Sequence, residues 1–221
     1  MKFLLAKRLS PCLLRQGKAV GFAIAGLVWL ITVAIGLSVL WSYDNTPGAA
    51  AAAPHQWPAA SRIPRPQARP ALVLLLHPEC TCSRATVAEL ARLMARVQGR
   101  VDAHVLFLSP GGVGDTWSKS NLLYAASSIP GVHVVRDDRG AEARHFGAAT
   151  SGETLLYDTT GRLRFNGGIT GARGHEGDNA GRSSLETLLT GGTAEQSSTF
   201  VFGCALFAPA EQAATNQTSV Q

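Results

Sequence analysis

Hydrophobic and polar positions change rhythm twice along this chain. From Ala19 to Tyr43 there is no charged residue at all: AVGFAIAGLVWLITVAIGLSVLWSY. As a helix, such a run reaches ~38 Å at about 1.5 Å per residue, enough to span a bilayer with tilt. Residues 44–70 then lose any periodicity, and alanine and proline dominate. Prolines at 47, 54, 58, 64, 66 and 70 forbid a regular helix and favour an extended, semi-rigid chain. This segment reads as a spacer holding a domain off the membrane, or as plain disorder. From Ala71 onward short apolar runs alternate with amphipathic ones, as in a folded domain.

The alternation predicts the elements of that domain. ALVLLLH (71–77) is a continuous apolar run of strand length, suited to burial on both faces. Ser83 to Gln98 reads as a helix, with Val87, Leu90, Leu93, Met94 and Val97 in one stripe and Gly99 as its C-cap. Strands follow at 101–109 and 131–137, with a loop (PGGVGD, 110–115) and a helix from Trp117 to Ser127 between them. A short helix is expected over 139–147. Residues 153–158 and 162–168 form a hairpin around the glycine-containing turn TTG. A glycine-rich loop runs to Gly181, and RSSLETLLTGG supplies a last helix. Past Gly192 the pattern fades, and TFVFGCALF (199–207) reads as either an edge strand or a packed segment. The order β-α-β-α-β-α-β-β-α calls for a mainly parallel sheet with helices on both faces and an antiparallel hairpin at the end.

Charge adds an orientation. The formal net charge is +5, yet Lys2, Lys7, Arg8, Arg15 and Lys18 all precede the first acidic residue, Asp44. The remaining fifteen Lys and Arg match the fifteen Asp and Glu. The basicity therefore belongs to the N-terminus and gives no reason to expect nucleic acid as a partner. Basic residues before an apolar run keep that end in the cytoplasm, and Trp41 and Tyr43 suit the far interface. A cleaved signal peptide is the rival, since PGAAAAAP (47–54) offers small residues to a peptidase. The apolar run exceeds the roughly 7–15 residues of a signal core, which favours a retained anchor. The expected organisation is a cytoplasmic stub (1–18), a transmembrane helix (19–43), the Pro/Ala-rich linker (44–70), a domain (71–192) outside the cytoplasm and a tail (193–221) carrying Cys204.

The candidate chemistry sits at the first strand–helix junction, where HPECTCSRAT places Cys80 and Cys82 one residue apart. That element order, with cysteines between the first strand and the first helix, resembles the thioredoxin-like superfamily over roughly 71–190. GETLLYDTTGRLRFNGG looks like the hairpin of extracytoplasmic redoxins, PETFLID..G.......G. More narrowly, HPECTCSRAT and GGITGARGHEGDN look like the membrane-anchored thioredoxin-like proteins known as RedB. The resemblance implies a three-layer α/β sandwich with a mixed sheet and a thiol–disulfide oxidoreductase acting on protein or small-thiol partners without a cofactor. Two departures stand out: the family's CxxC is CxC here, and its cis-proline falls at Gly152. A helix N-terminus stabilises a thiolate, and an oxidising compartment gives a dithiol work to do. A CxC disulfide closes a smaller ring than CxxC, which strains the bond and eases its reduction. Cys80 is the expected attacking thiol and Cys82 the resolving one.

Other residues leave alternatives open. Three thiols outside the cytoplasm are an odd number, so Cys204 could pair with Cys80 or Cys82, as a structural staple or as a remote resolving thiol. Cys12 lies on the cytoplasmic side, inert or lipid-modified. Topology sends the glycine-rich loop 167–181 over the cysteines, with Gly152 and Glu153 beside them. His175 in that loop could tune exchange as an acid or base. With Cys80 and Cys82 it could instead complete a copper site, the alternative function being a copper chaperone. The remaining reading of the loop is a solvated polar one. His77 is placed to favour thiolate formation or simply to end the strand.

Overall fold

The structure, a computed structural model, describes residues 11–109 and 120–208. The expected loop at 110–115 and the expected helical start at 117–119 lie outside the described residues. The chain divides into two compact units, with the boundary between Tyr43 and Asp44.

The first unit is helical. Helix α1 runs from Pro11 to Asn45 without a break. Its stretch Ala19–Asn45 has a mean hydropathy of 2.4 and is long and apolar enough to cross a membrane. Its large apolar side chains, from Val20 to Tyr43, are exposed all round.

The second unit is built on five strands: β1 (Ala71–Leu76), β2 (Asp102–Ser109), β3 (Val132–Asp138), β4 (Glu153–Tyr157) and β5 (Leu163–Gly167). Their spatial order is β3-β2-β1-β4-β5. β1 pairs in parallel with β2 and β2 with β3, whereas β4 runs antiparallel to β1 and β5 antiparallel to β4. β1 is the central strand, and all six of its residues are buried. That burial explains an unbroken apolar run where a half-exposed strand would alternate.

The two faces of the sheet carry separate cores. Leu72, Leu74 and Leu76 join Val105, Phe107 and Leu156 beneath α2 (Ser83–Arg96), α3 (Asn121–Ser127) and α5 (Ala180–Leu189). The predicted stripe of α2 supplies Val87, Leu90, Leu93, Met94 and Val97 to this core. Val73, Leu75, Leu106, Leu108, Leu155 and Tyr157 point to the other face. Among the described residues, the five-residue helix α4 (Ala141–His145) is the regular element that lies there.

Chain segments from both ends of the unit cover the rest of that face, and here the sequence reading needs correction. Residues 44–70 are not a free spacer. The Ala52 N–H donates to the Gly147 carbonyl at 2.9 Å, and the Trp57 N–H donates to the Gly161 carbonyl at 2.7 Å. Tyr157 Oη donates to the Pro54 carbonyl at 3.0 Å. Trp57 stands edge-on to Phe146 and Tyr157, with ring centroids 5.1 and 5.2 Å away. Ile63 is buried, and Ser61 and the Arg62 N–H donate to the buried Glu142 carboxylate at 2.7 and 3.0 Å. Proline removes helix as an option but leaves a carbonyl free to accept, and the small Ala and Gly side chains let this backbone lie close to the sheet. We call residues 48–63 the strap. The tail joins it as a packed segment rather than a strand: Leu206 and Phe207 are buried, and the Leu206 N–H donates to the Ala149 carbonyl.

Candidate functional site

β1 ends at Leu76, and two short turns lead into α2. The Cys80 N–H donates to the His77 carbonyl at 3.2 Å, and the Ser83 N–H to the Cys80 carbonyl at 3.1 Å. Cys82 is the N-cap residue of α2, with no side-chain capping hydrogen bond. Both cysteines are buried, each 5% exposed. A serine pair braces the turn: Ser83 Oγ and Ser151 Oγ lie 3.0 Å apart, Ser83 Oγ donates to the His77 carbonyl, and the His77 N–H donates to Ser151 Oγ.

The tail brings the third thiol in. Cys80 Sγ and Cys204 Sγ are hydrogen-bonded at 2.9 Å across 124 residues of sequence. All three cysteines are free thiols. Burial by itself pushes the Cys80 thiol up. Hydrogen bonds from the Cys204 thiol and N–H, from Ser83 and from the Cys82 N–H more than offset it, so Cys80 titrates below the ordinary thiol value. Burial pushes Cys82 up, and the neighbouring Cys80 charge adds to this. Burial and the Cys80 thiolate together push Cys204 up to about 12. Of the three thiols, Cys80 is therefore the one most easily ionised.

Two residues not singled out in the sequence belong to this site. Arg173 Nη1 donates to the Gly203 carbonyl at 2.6 Å, and its positive charge favours ionisation of both Cys82 and Cys204. Its signal was a single arginine inside an otherwise glycine-rich loop. Ser151 gave no signal, because only the fold sets it beside Ser83 and under Cys204, whose carbonyl accepts from the Ser151 N–H at 2.8 Å.

The glycine-rich loop splits between two tasks. Around Arg173 it reaches the thiols, as the topology led us to expect. From His175 on it docks on α2 instead. The buried Glu89 carboxylate accepts from the Gly177 N–H at 2.8 Å and pairs with Arg182 Nε at 2.8 Å, and Arg92 bridges Glu89 and Glu176. His175 itself is exposed. Among the described residues, no group of three His, Cys, Asp or Glu side chains is arranged to hold a metal ion. His77 is half-buried, and burial lowers its pKa against the pull of Glu79. Its Nδ1 accepts from the Glu79 N–H, so it shapes the turn.

Gly152 adopts φ +99°, a left-handed conformation that a side chain disfavours. Its N–H donates to the Leu75 carbonyl at 2.8 Å, and Val201 and Thr86 pack over it. Glu153, next in the chain, is 1% exposed, and its Oε2 has no hydrogen-bond partner among the described residues. Burial alone pushes its carboxyl up to about 8, so it is largely neutral at pH 7. It opens onto a cavity of about 680 Å³ between the strap, the start of α5 and the tail, lined also by Asn166, Thr170, Asn179, Phe200 and Phe202. No cysteine is among the described residues that line this cavity.

The central parallel strand pair, the antiparallel β4–β5 hairpin and the thiols at the end of β1 make this a thioredoxin-like fold, with a mixed sheet between helices. No family model matches the chain, and no curated protein does. Among solved structures, a hypothetical protein from Sinorhizobium meliloti superimposes with a TM-score of 0.51 at 18% identity, over 73% of this chain and 93% of its own. An uncharacterized conserved protein from Geobacillus kaustophilus gives a TM-score of 0.53 at 14% identity, over 75% and 94%. A secreted Mycobacterium tuberculosis disulfide oxidoreductase matches less of the chain, 44%, with a TM-score of 0.37 and 14% identity.

Proposed function

We propose that this chain is a membrane-anchored thiol–disulfide oxidoreductase of the RedB type. Its chemistry runs through the CxC turn, with Cys80 as the attacking thiol. The observation that carries this reading is the environment of Cys80: a buried sulfur at the entrance of α2 that collects hydrogen bonds from the Cys204 thiol and N–H, Ser83 and the Cys82 N–H. Such an arrangement stabilises a thiolate, the form that attacks a disulfide sulfur. The five basic residues that precede the apolar run support an N-terminus in the cytoplasm and a domain in the periplasm or its equivalent, where disulfides persist. Protein disulfides or small-thiol disulfides are the substrates.

The test uses the full-length chain in detergent micelles, reduced and then exposed to glutathione disulfide. Wild-type protein is expected to form a mixed disulfide at Cys80. Its alkylation rate should reach half-maximum at a pH below that of an ordinary thiol. Cys80→Ser should lose both signals. If Cys80→Ser reacts as fast as wild type, this reading is wrong.

A further inference from the structure

We infer that the resolving thiol is Cys204 of the tail, so that the redox couple is the Cys80–Cys204 pair rather than the CxC pair. This rests on the exchange chemistry proposed above and names the second sulfur in it.

Three observations place Cys204 by design of the fold rather than by chance. The Ser151 N–H donates to the Cys204 carbonyl at 2.8 Å, the Leu206 N–H to the Ala149 carbonyl at 2.9 Å, and Arg173 holds the Gly203 carbonyl at 2.6 Å. The tail is thus fastened before, at and after the cysteine. Gly203 permits this approach: a Cβ there would lie 1.8 Å from the Ser151 carbonyl oxygen, a collision that nothing but a backbone shift relieves. The outcome is a sulfur 2.9 Å from Cys80 Sγ.

Cys82 also touches Cys80, but its backbone is committed. Its carbonyl accepts from the Thr86 N–H at 3.3 Å in the first turn of α2, and the Cys80 carbonyl accepts from the Ser83 N–H. Joining two sulfurs across one intervening residue demands a particular local backbone, so an 80–82 bond has to re-form this turn. Cys204 arrives through space from a separate segment and carries no such constraint.

The chemistry balances in two steps. The Cys80 thiolate attacks one sulfur of a substrate disulfide. A Cys80–S bond forms, the substrate S–S bond breaks, and the released thiolate takes a proton from water. Burial and the Cys80 charge together keep Cys204 protonated, and capping Cys80 removes the second of these. Cys204 then loses its proton and attacks Cys80 Sγ. The Cys80–Cys204 bond forms, the mixed disulfide breaks, and the second substrate thiolate takes up that proton. Two protein thiols lose two electrons, and one substrate disulfide gains them. Run in reverse, the same steps oxidise a substrate dithiol.

The experiment follows the full-length chain in detergent after glutathione disulfide is added. Peptide mass spectrometry is expected to find the 80–204 bridge in oxidised wild-type protein. In Cys204→Ser the glutathione adduct on Cys80 should live at least ~10-fold longer, whereas Cys82→Ser should resolve it within about 3-fold of the wild-type rate. Gly203→Ala leaves every thiol in place and should still lengthen the life of the adduct. A bridge closing so long a loop should raise Tm by roughly 10 °C on oxidation, an increase absent in Cys204→Ser. An 80–82 bridge in wild type, or trapping by Cys82→Ser alone, overturns the inference and leaves the proposed exchange intact. No adduct on Cys80 in any form removes the exchange reading itself.

Discussion

The two faces of the sheet are closed by different kinds of chain. One face lies under α2, α3 and α5, helices that bring ready-made apolar stripes to Leu72, Leu74, Leu76 and Phe107. The other lies under α4 and two segments without regular structure, the strap and the tail, whose Trp57, Ile63, Leu206 and Phe207 complete its core. A helix satisfies its own backbone, so it needs only apolar contact with the sheet. The strap and tail satisfy theirs by bonding to the domain, carbonyl by carbonyl. The helical face gives the molecule its frame. The irregular face brings in what the frame lacks: a third thiol, the walls of the cavity and a cover for Glu153.

If this division holds, perturbing the helical face has the larger effect. Leu90, on the inner stripe of α2, is wholly buried, and Leu90→Ala should cost about 3–5 kcal/mol in a denaturant titration. The irregular face has its own electrostatic signature. Glu153 titrates near 8 in the fold, above its ordinary 4.5. Its neutral form favours the fold below pH 4.5, and that contribution is lost as pH rises toward 8. Glu153→Gln should therefore match wild-type stability at pH 4.5 and exceed it at pH 8, by on the order of 3 kcal/mol. A constant difference across this range would mean that Glu153 has a polar partner. Trp57→Ala should cost about 2–3 kcal/mol, because the strap loses its two aromatic contacts. Hydrogen exchange sharpens the contrast: in that variant the Ala52 and Gly48 amides should exchange faster, while those of β1 keep their protection. Equal acceleration of both sets would show that the strap is part of one cooperative core. The smallest effect is expected for Ser61→Ala, about 1 kcal/mol, since the Arg62 N–H still donates to Glu142.

Much of the frame was legible in sequence because each element is local. A six-residue apolar run is a buried strand whatever surrounds it, and Val87 to Val97 recur at helical spacing on any fold. Most element boundaries moved by one to three residues: α2 ends at Arg96 rather than Gln98, and α5 starts at Ala180 rather than Arg182, while α3 starts four residues late, at Asn121. The strap was misread for the same reason that the helices were read correctly. Its prolines and alanines carry no period, so composition described the free chain and said nothing of carbonyls that find partners a hundred residues away. The site was half legible. Cys80 and Cys82 announce themselves by spacing. Ser151 and Arg173 enter only through hydrogen bonds to the tail, and His175, a plausible ligand on paper, is exposed on a loop that Glu89 ties to α2.

By itself, the sequence determined an apolar helix long enough to cross a membrane, a strand–helix order that calls for a mixed sheet with helices on both faces, and two thiols at the end of the first strand. These follow from periodicity, length and the chirality of crossovers, which are properties of neighbouring residues. The tertiary structure alone decided which sulfur faces Cys80. That choice depends on the tail crossing Ser151 where only a glycine fits, and a contact spanning 124 residues leaves no trace in the spacing of a CxC motif.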